Sequence, residues 1–171
     1  EIEMNEFLED LLKEYNNRWF LLVGVEDGTI LTFAVDRIDE FRPMAHIKYI
    51  DPEEELEERF DDIVGVTLYK DRPIEDIILW VSKEQYPYIA TKPLHGSQCE
   101  IKGEKREFLR ERYGALGDGY FVKLECMINV ELTQLLMSKM DKMVVLSPES
   151  LAEEICSKAC DLKEMYDMLR T

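Results

Sequence analysis

Two clusters of side chains in this 171-residue chain are of types that could do chemistry. The first is Arg18-Trp19-Phe20, followed by Phe33 and Arg37. Guanidinium groups beside aromatic faces suit a ligand that carries a base or a phosphate, because the ring stacks and the cation pairs with the anion. The second is His95-Gly96-Ser97-Gln98. A histidine close to a serine is the pairing a hydroxyl nucleophile needs, with the imidazole taking the proton. No acid is marked by its spacing to orient that imidazole. A hydrogen-bonding loop is therefore the preferred reading, and no catalytic residue is assigned. The chain has no serine elbow, phosphate-binding glycine loop, dinucleotide turn or His-Glu-x-x-His pattern. It reads as a recognition protein rather than an enzyme. The residues alone leave a plainer alternative open, in which the arginines pair with the many acids and the aromatics are core.

The elements that must hold the first cluster form a β-hairpin. Two runs, 18–25 and 29–35, are rich in β-branched and aromatic residues and are joined by Glu26-Asp27-Gly28. Alternation puts Trp19, Leu21 and Val23 on one face and Phe20, Leu22 and Gly24 on the other. Both faces are apolar, as in a strand of a small closed barrel. Upstream, Met4, Phe7, Leu8, Leu11 and Leu12 recur at helical spacing, while Leu11 to Tyr15 followed by Asn16-Asn17 reads as a hairpin arm. The expectation is a helix or irregular segment to residue 10, then a strand. Asp51-Pro52 opens a helix with Leu56, Phe60 and Ile63 on its buried stripe. A further strand is expected over 64–69.

Lys70-Asp71-Arg72-Pro73 marks a boundary, dividing the chain into 1–71 and 72–171. The second part reads strand (74–81), helix (from Ser82-Lys83-Glu84), strand (97–102), strand (120–128), helix (130–140), strand (143–146), helix. Between its second and third strands, residues 103–118 form a charged, mobile excursion, partly helical, that ends in Gly114, Gly117 and Gly119. Asn129 caps one helix and Ser147-Pro148-Glu149 opens the last. That last helix carries an apolar stripe of Leu151, Ile155, Ala159, Leu162, Tyr166 and Leu169. The order suggests an α+β layer of the ferredoxin type.

The charge is −16, from 37 acidic and 21 basic residues. Residues 1–70 hold 19 of the acids and only 7 of the bases, with eight acids between Asp51 and Asp62. Such a surface repels phosphate backbones at long range. Hydrophobic residues make up 46%, so a packed core is expected. No apolar run reaches the roughly 20 residues of a membrane helix, and the first residues do not form a signal peptide. Cys99, Cys126, Cys156 and Cys160 form no CxxC pair; reduced, mostly buried thiols in a cytoplasmic protein are expected, with no metal and no cofactor.

Arg18-Trp19-Phe20-Leu21, followed by Thr32-Phe33-Ala34-Val35-Asp36-Arg37-Ile38, resembles the WYL domain. That family is named for a Trp-Tyr-Leu run and carries Leu-Asp-Arg-Ile at the end of the next strand. Lys13-Glu14-Tyr15-Asn16-Asn17, Lys92-Pro93-Leu94-His95-Gly96-Ser97-Gln98, Asn129-Val130-Glu131-Leu132 and Val145-Leu146-Ser147-Pro148-Glu149-Ser150 are similar to its Bacteroidetes-type branch. Phe20 stands in place of the family's Tyr, Val35 in place of its Leu, and Ala34 where many members have Arg. The resemblance implies an Sm-like, SH3-type small β-barrel followed by a ferredoxin-like C-terminal extension. It implies a transcription regulator whose DNA is bound by an N-terminal helix-turn-helix domain absent from this sequence, together with the opening barrel strands. By the same resemblance, the module senses a ligand such as a nucleotide or single-stranded nucleic acid through Arg18, Trp19, Phe20, Phe33 and Arg37, with His95, Ser97 and Gln98 as further contacts. A homodimer formed through the C-terminal part is expected, the apolar stripe of the last helix being its motive. The alternative is a dimerisation or protein-interaction module with no ligand of its own.

Overall fold

The computed structural model describes residues 9–24, 30–40 and 60–170. The chain divides between Pro73 and Ile74 into two compact units. Antiparallel sheets of three and four strands, combined with helices, make the α+β class expected from the sequence.

In the first unit β1 (Glu9–Tyr15), β2 (Arg18–Gly24) and β3 (Ile30–Ala34) pair in that order. Asn16 and Asn17 join β1 to β2 with φ of 52° and 62°. A two-residue type I′ turn requires positive φ at both positions, and Asn tolerates it. The expected strand upstream of Arg18 therefore exists, and the β2–β3 hairpin pairs Phe20 with Ala34 through to Gly24 with Ile30. The helix expected before residue 10, the Asp27-Gly28 loop and most of the Asp51-Pro52 helix lie outside the described residues. The strand expected over 64–69 does not form. Gly65, at φ 87°, turns the chain, and Val64 and Val66 are buried in bends outside the sheet. The three described strands make an open sheet, with no closed barrel among the described residues.

The second unit is built on β4 (Ile74–Ser82), α1 (Tyr86–Thr91), β5 (Cys99–Glu100), α2 (Gly103–Arg112), β6 (Gly119–Met127), α3 (Val130–Met137), β7 (Met143–Ser147) and α4 (Glu149–Met168). The strands lie in the order β5-β6-β4-β7, all antiparallel. Both faces of the sheet are apolar. Trp80 and Phe121, paired across β4 and β6, pack with Ile101 and Leu109. On the other face lie Ile77, Leu79, Val122 and Leu124, and Ile89, Leu132, Leu136 and Leu151 bring buried side chains from α1, α3 and α4. The helical part expected within 103–118 forms as α2. Its sequence is rich in Glu, Lys and Arg, which favour helix, and Leu109 anchors α2 to the sheet.

Several boundaries shift for physical reasons. Only Cys99 and Glu100 of the expected 97–102 strand join the ladder. Asn129 caps α3 as expected, its Oδ1 accepting from Leu132 N at 2.9 Å. Ser147 ends β7 opposite Ile78, and Pro148 rather than Ser147 holds the cap position of α4. The thiols are mostly exposed rather than buried, only Cys126 lying in the core. No helix among the described residues is long and apolar enough to cross a membrane.

Gly119 is fixed by packing. A Cβ there would fall on the Trp80 indole nitrogen and the Val81 carbonyl oxygen. Gly119→Ala is expected to cost about 1–3 kcal/mol in denaturant unfolding, since backbone and a buried ring must both give way. Gly114→Ala, where a Cβ meets nothing within 4 Å, should be close to neutral.

Candidate functional site

The first cluster sits on β2, and the pleat divides it. Arg18, Phe20 and Leu22 share one face with Lys13 and Thr32, their cross-strand neighbours. That face meets the chain after residue 60. Thr32 Oγ1 donates to Val66 O at 3.2 Å, and the Lys13 ammonium lies 4.5 Å from the centre of the Phe60 ring. Burial there lowers the Lys13 pKa, with Asp61 opposing the shift. Trp19, Leu21 and Phe33 lie on the opposite face, with Leu12 across from Leu21 and Phe33 in line with both. Trp19 is 53% and Leu12 59% exposed, so this row forms an open apolar strip.

Arg18 does not reach that strip. Extending the hairpin register by two residues puts it opposite Asp36, and Arg18 Nε lies 3.4 Å from Asp36 Oδ1. The pair joins the two segments that carry the sequence resemblance. Both partners are about half exposed, so it contributes at most about 1 kcal/mol. Arg37 follows on a single 3₁₀ turn and is exposed. Of the five hairpin residues expected to converge, Trp19 and Phe33 share a surface. Arg18 and Phe20 share the other.

His95, Ser97 and Gln98 belong to the second unit, where they clasp the loop between α1 and β5. Ser97 Oγ accepts from Glu125 N at 2.8 Å and lies 2.7 Å from His95 Nδ1, which also accepts from Ser97 N at 3.2 Å. An Nδ1 that accepts from the amide leaves the neutral imidazole's proton on Nε2, so the hydroxyl donates to Nδ1. Gln98 Oε1 accepts from Leu94 N at 2.9 Å, and its Nε2 donates to Ile89 O at 2.8 Å. The serine–histidine contact is real, but it ties a loop to β6. Among the described residues no carboxylate orients the imidazole, and no three His, Cys, Asp or Glu side chains gather as metal ligands.

A groove of about 720 Å³ lies between β7, the end of α3 and α4. Met137, Met143, Val145, Ile155, Leu162 and Tyr166 are among its lining residues, and Asp141, Lys163 and Arg170 stand at its rim. The expected stripe of α4 supplies one wall. Leu151 is the only buried residue of that helix, while Leu162, Tyr166 and Leu169 are 48%, 57% and 82% exposed. Helical spacing had marked the apolar side. It carried no sign that the chain leaves that side open, nor of the methionines that α3 and β7 bring against it.

The chain matches no family model, and no curated protein is similar to it.

The clasp predicts the outcome of Ser97→Ala. Glu125 N and His95 Nδ1 each lose a partner at a partly solvated position, which should lower unfolding free energy by about 0.5–1.5 kcal/mol. A fluorophosphonate probe should leave Ser97 unlabelled. Labelling would make it a nucleophile after all.

Proposed function

We propose that this chain is the regulatory module of a WYL-type, cytoplasmic helix-turn-helix transcription regulator, and that it works as a homodimer. On this reading the three described strands of the first unit are part of an Sm-like barrel, and DNA is held by a helix-turn-helix domain outside this sequence. The second unit is ferredoxin-like: numbering its strands from β4, the order 4-1-3-2 with helices after the first and third strands supports that layout. The observation that carries the functional reading is the open apolar groove beside α4. Among the tasks the resemblance implies, the geometry favours self-association over ligand reading.

The occupant of the groove is α4 of a second copy. The helix spans 20 residues, about 30 Å, and is anchored through its first turn, so most of its apolar face projects uncovered. A chain that bears both an apolar groove and an apolar rod of matching character can satisfy each with the other across a two-fold axis. The methionines adapt the wall to the incoming helix. Sedimentation velocity is expected to show a dimer for the wild type and a monomer for Leu162→Asp, Tyr166→Asp. Both residues are exposed, so circular dichroism should be unchanged. A monomeric wild type at the highest attainable concentration would remove the proposal.

Ligand sensing at the hairpin is the second reading, favoured by the exposure of Trp19 beside Phe33. An exposed indole on a strand face is a stacking platform for a base. The chain has two tryptophans, and Trp80 is only 6% exposed, so fluorescence quenching reports on Trp19. Short single-stranded DNA, RNA or nucleotides should quench the wild type and leave Trp19→Leu unaffected. Arg18→Ala should leave the same titration unchanged, because Arg18 lies on the other face of β2. Equal quenching in Trp19→Leu, or none in any protein, would exclude the hairpin as the site.

A further inference from the structure

The second unit holds a small cavity whose charge runs against that of the chain. It measures about 170 Å³ and is lined by Lys83, Arg106, Arg110, Tyr113, Asp118 and Tyr120, with Gly114, Gly117, Gly119 and Phe121. Three cations meet one carboxylate there, in a protein of net charge −16. The parts come from three places. Lys83 follows the last residue of β4. Arg106 and Arg110 stand one turn apart on α2. The glycine-rich turn before β6 brings Asp118, opposite Lys83 because Ser82 pairs with Gly119.

The arrangement of the basic residues is not that of a solvated helix. Arg106 and Arg110 stand four residues apart on α2, so like charges face one another there, and Lys102 precedes them at the N-cap. Such pairs destabilise a helix; Glu at these spacings would stabilise it. Lys102 is relieved by Glu100 at 3.4 Å, and Arg110 meets Asp118 at a loose 3.9 Å between exposed groups. Among the described residues neither Arg106 nor Lys83 has a carboxylate within 4 Å. Arg106 instead lies 5.8 Å from the centre of the Tyr120 ring.

The wall around these cations is rigid. Tyr120 stacks on Tyr86 with ring centres 3.8 Å apart and planes 10° from parallel. Tyr86 in turn donates to Glu100 Oε2 at 2.9 Å. Gly119 closes over Trp80, whose buried indole N–H has no acceptor. At Gly114 and Gly117 a Cβ would meet nothing, so the backbone there is open to an incoming group. A stacked tyrosine pair beside Arg106 leaves less of the wall to order when an anion binds.

The geometry points to a binding site for a phosphate monoester. Two guanidinium groups offer paired donors to phosphoryl oxygens, and the lysine adds a point charge. Net positive charge at the cavity suits a dianion better than a single carboxylate. The volume falls below the roughly 300 Å³ at which pockets begin to enclose a drug-sized molecule, so the phosphoryl group enters and the rest of the ligand stays at the mouth. This site is separate from the hairpin and from the groove beside α4.

Calorimetric titration at low salt tests it, using inorganic phosphate, adenosine 5′-monophosphate and adenosine. Phosphate and the monophosphate should bind, and adenosine should not. If the monophosphate binds more tightly than phosphate, the mouth reads the organic part; if equally, the site takes the phosphoryl group alone. Arg106→Gln, Arg110→Gln should weaken binding by at least about tenfold, whereas Lys158→Gln, outside the cavity, should bind as the wild type does. Thermal unfolding separates this from a structural role. Without phosphate the double variant should melt no lower than the wild type, because like charges have been removed. With phosphate only the wild type should gain stability. Absence of phosphate binding by the wild type, undiminished binding by the double variant, or a lower melting point without ligand would each overturn the proposal.

Discussion

The nine-residue antiparallel ladder between β4 and β6 is the constraint on which the second unit depends. Its side chains alternate between two faces, and both faces are apolar, so both must be covered. One face takes Ile89, Leu132 and Leu151 from helices that follow the strands in the usual way. The other carries Trp80 and Phe121, which among the described residues are covered by Ile101 and by Leu109, Tyr113 and Leu116 of α2 and the turn after it. Covering that second face is what carries a basic helix and a glycine-rich turn to the end of the sheet. The cavity there is a consequence of how the Trp80 face is closed.

Alternation also decides what the first unit can do. Arg18 and Trp19 are adjacent in sequence, and for that reason a strand sends them to opposite sides. The Arg18–Asp36 pair and the Trp19–Phe33 strip are therefore two separate features of one hairpin. A ligand stacked on Trp19 would meet the strip and not the guanidinium of Arg18. The division of β2 into two faces was legible in the sequence. Residue types and spacing suggest a combined arginine–aromatic site, and side-chain direction along the strand divides it.

What the sequence made legible was local. Asn16-Asn17 demanded a tight turn, Asn129 a helix start, and the apolar alternation of β2, β4 and β6 their strands. Tertiary structure overrode the rest. Residues 97–102 look like a strand, but the Ser97 side chain is drawn to Glu125 N and only two residues join the ladder. Residues 64–69 look like one too, yet Gly65 bends them and the valines are buried without it. Ser147 looks like a helix cap, but it ends β7 opposite Ile78 and Pro148 takes the N-cap position. The charged stretch 103–112 carries no apolar periodicity, because one leucine, Leu109, supplies its anchorage.

The α4 stripe shows the same limit most sharply. Helical spacing states which side of a helix avoids water, and it is silent on what excludes the water. In most surface helices the chain's own core answers. Here the core ends at Leu151, and the stripe continues for four more turns beside a groove of the same character. Single exposed apolar residues need no explanation, but a continuous face of them invites association. The acidic surface works against that association at long range, and the groove's rim softens the effect locally, since Lys163 and Arg170 stand among its acids. An apolar face bordered by both signs of charge is better suited to meeting its own copy than to meeting a strongly charged partner, because a two-fold axis can set Lys163 and Arg170 of one chain against acids of the other.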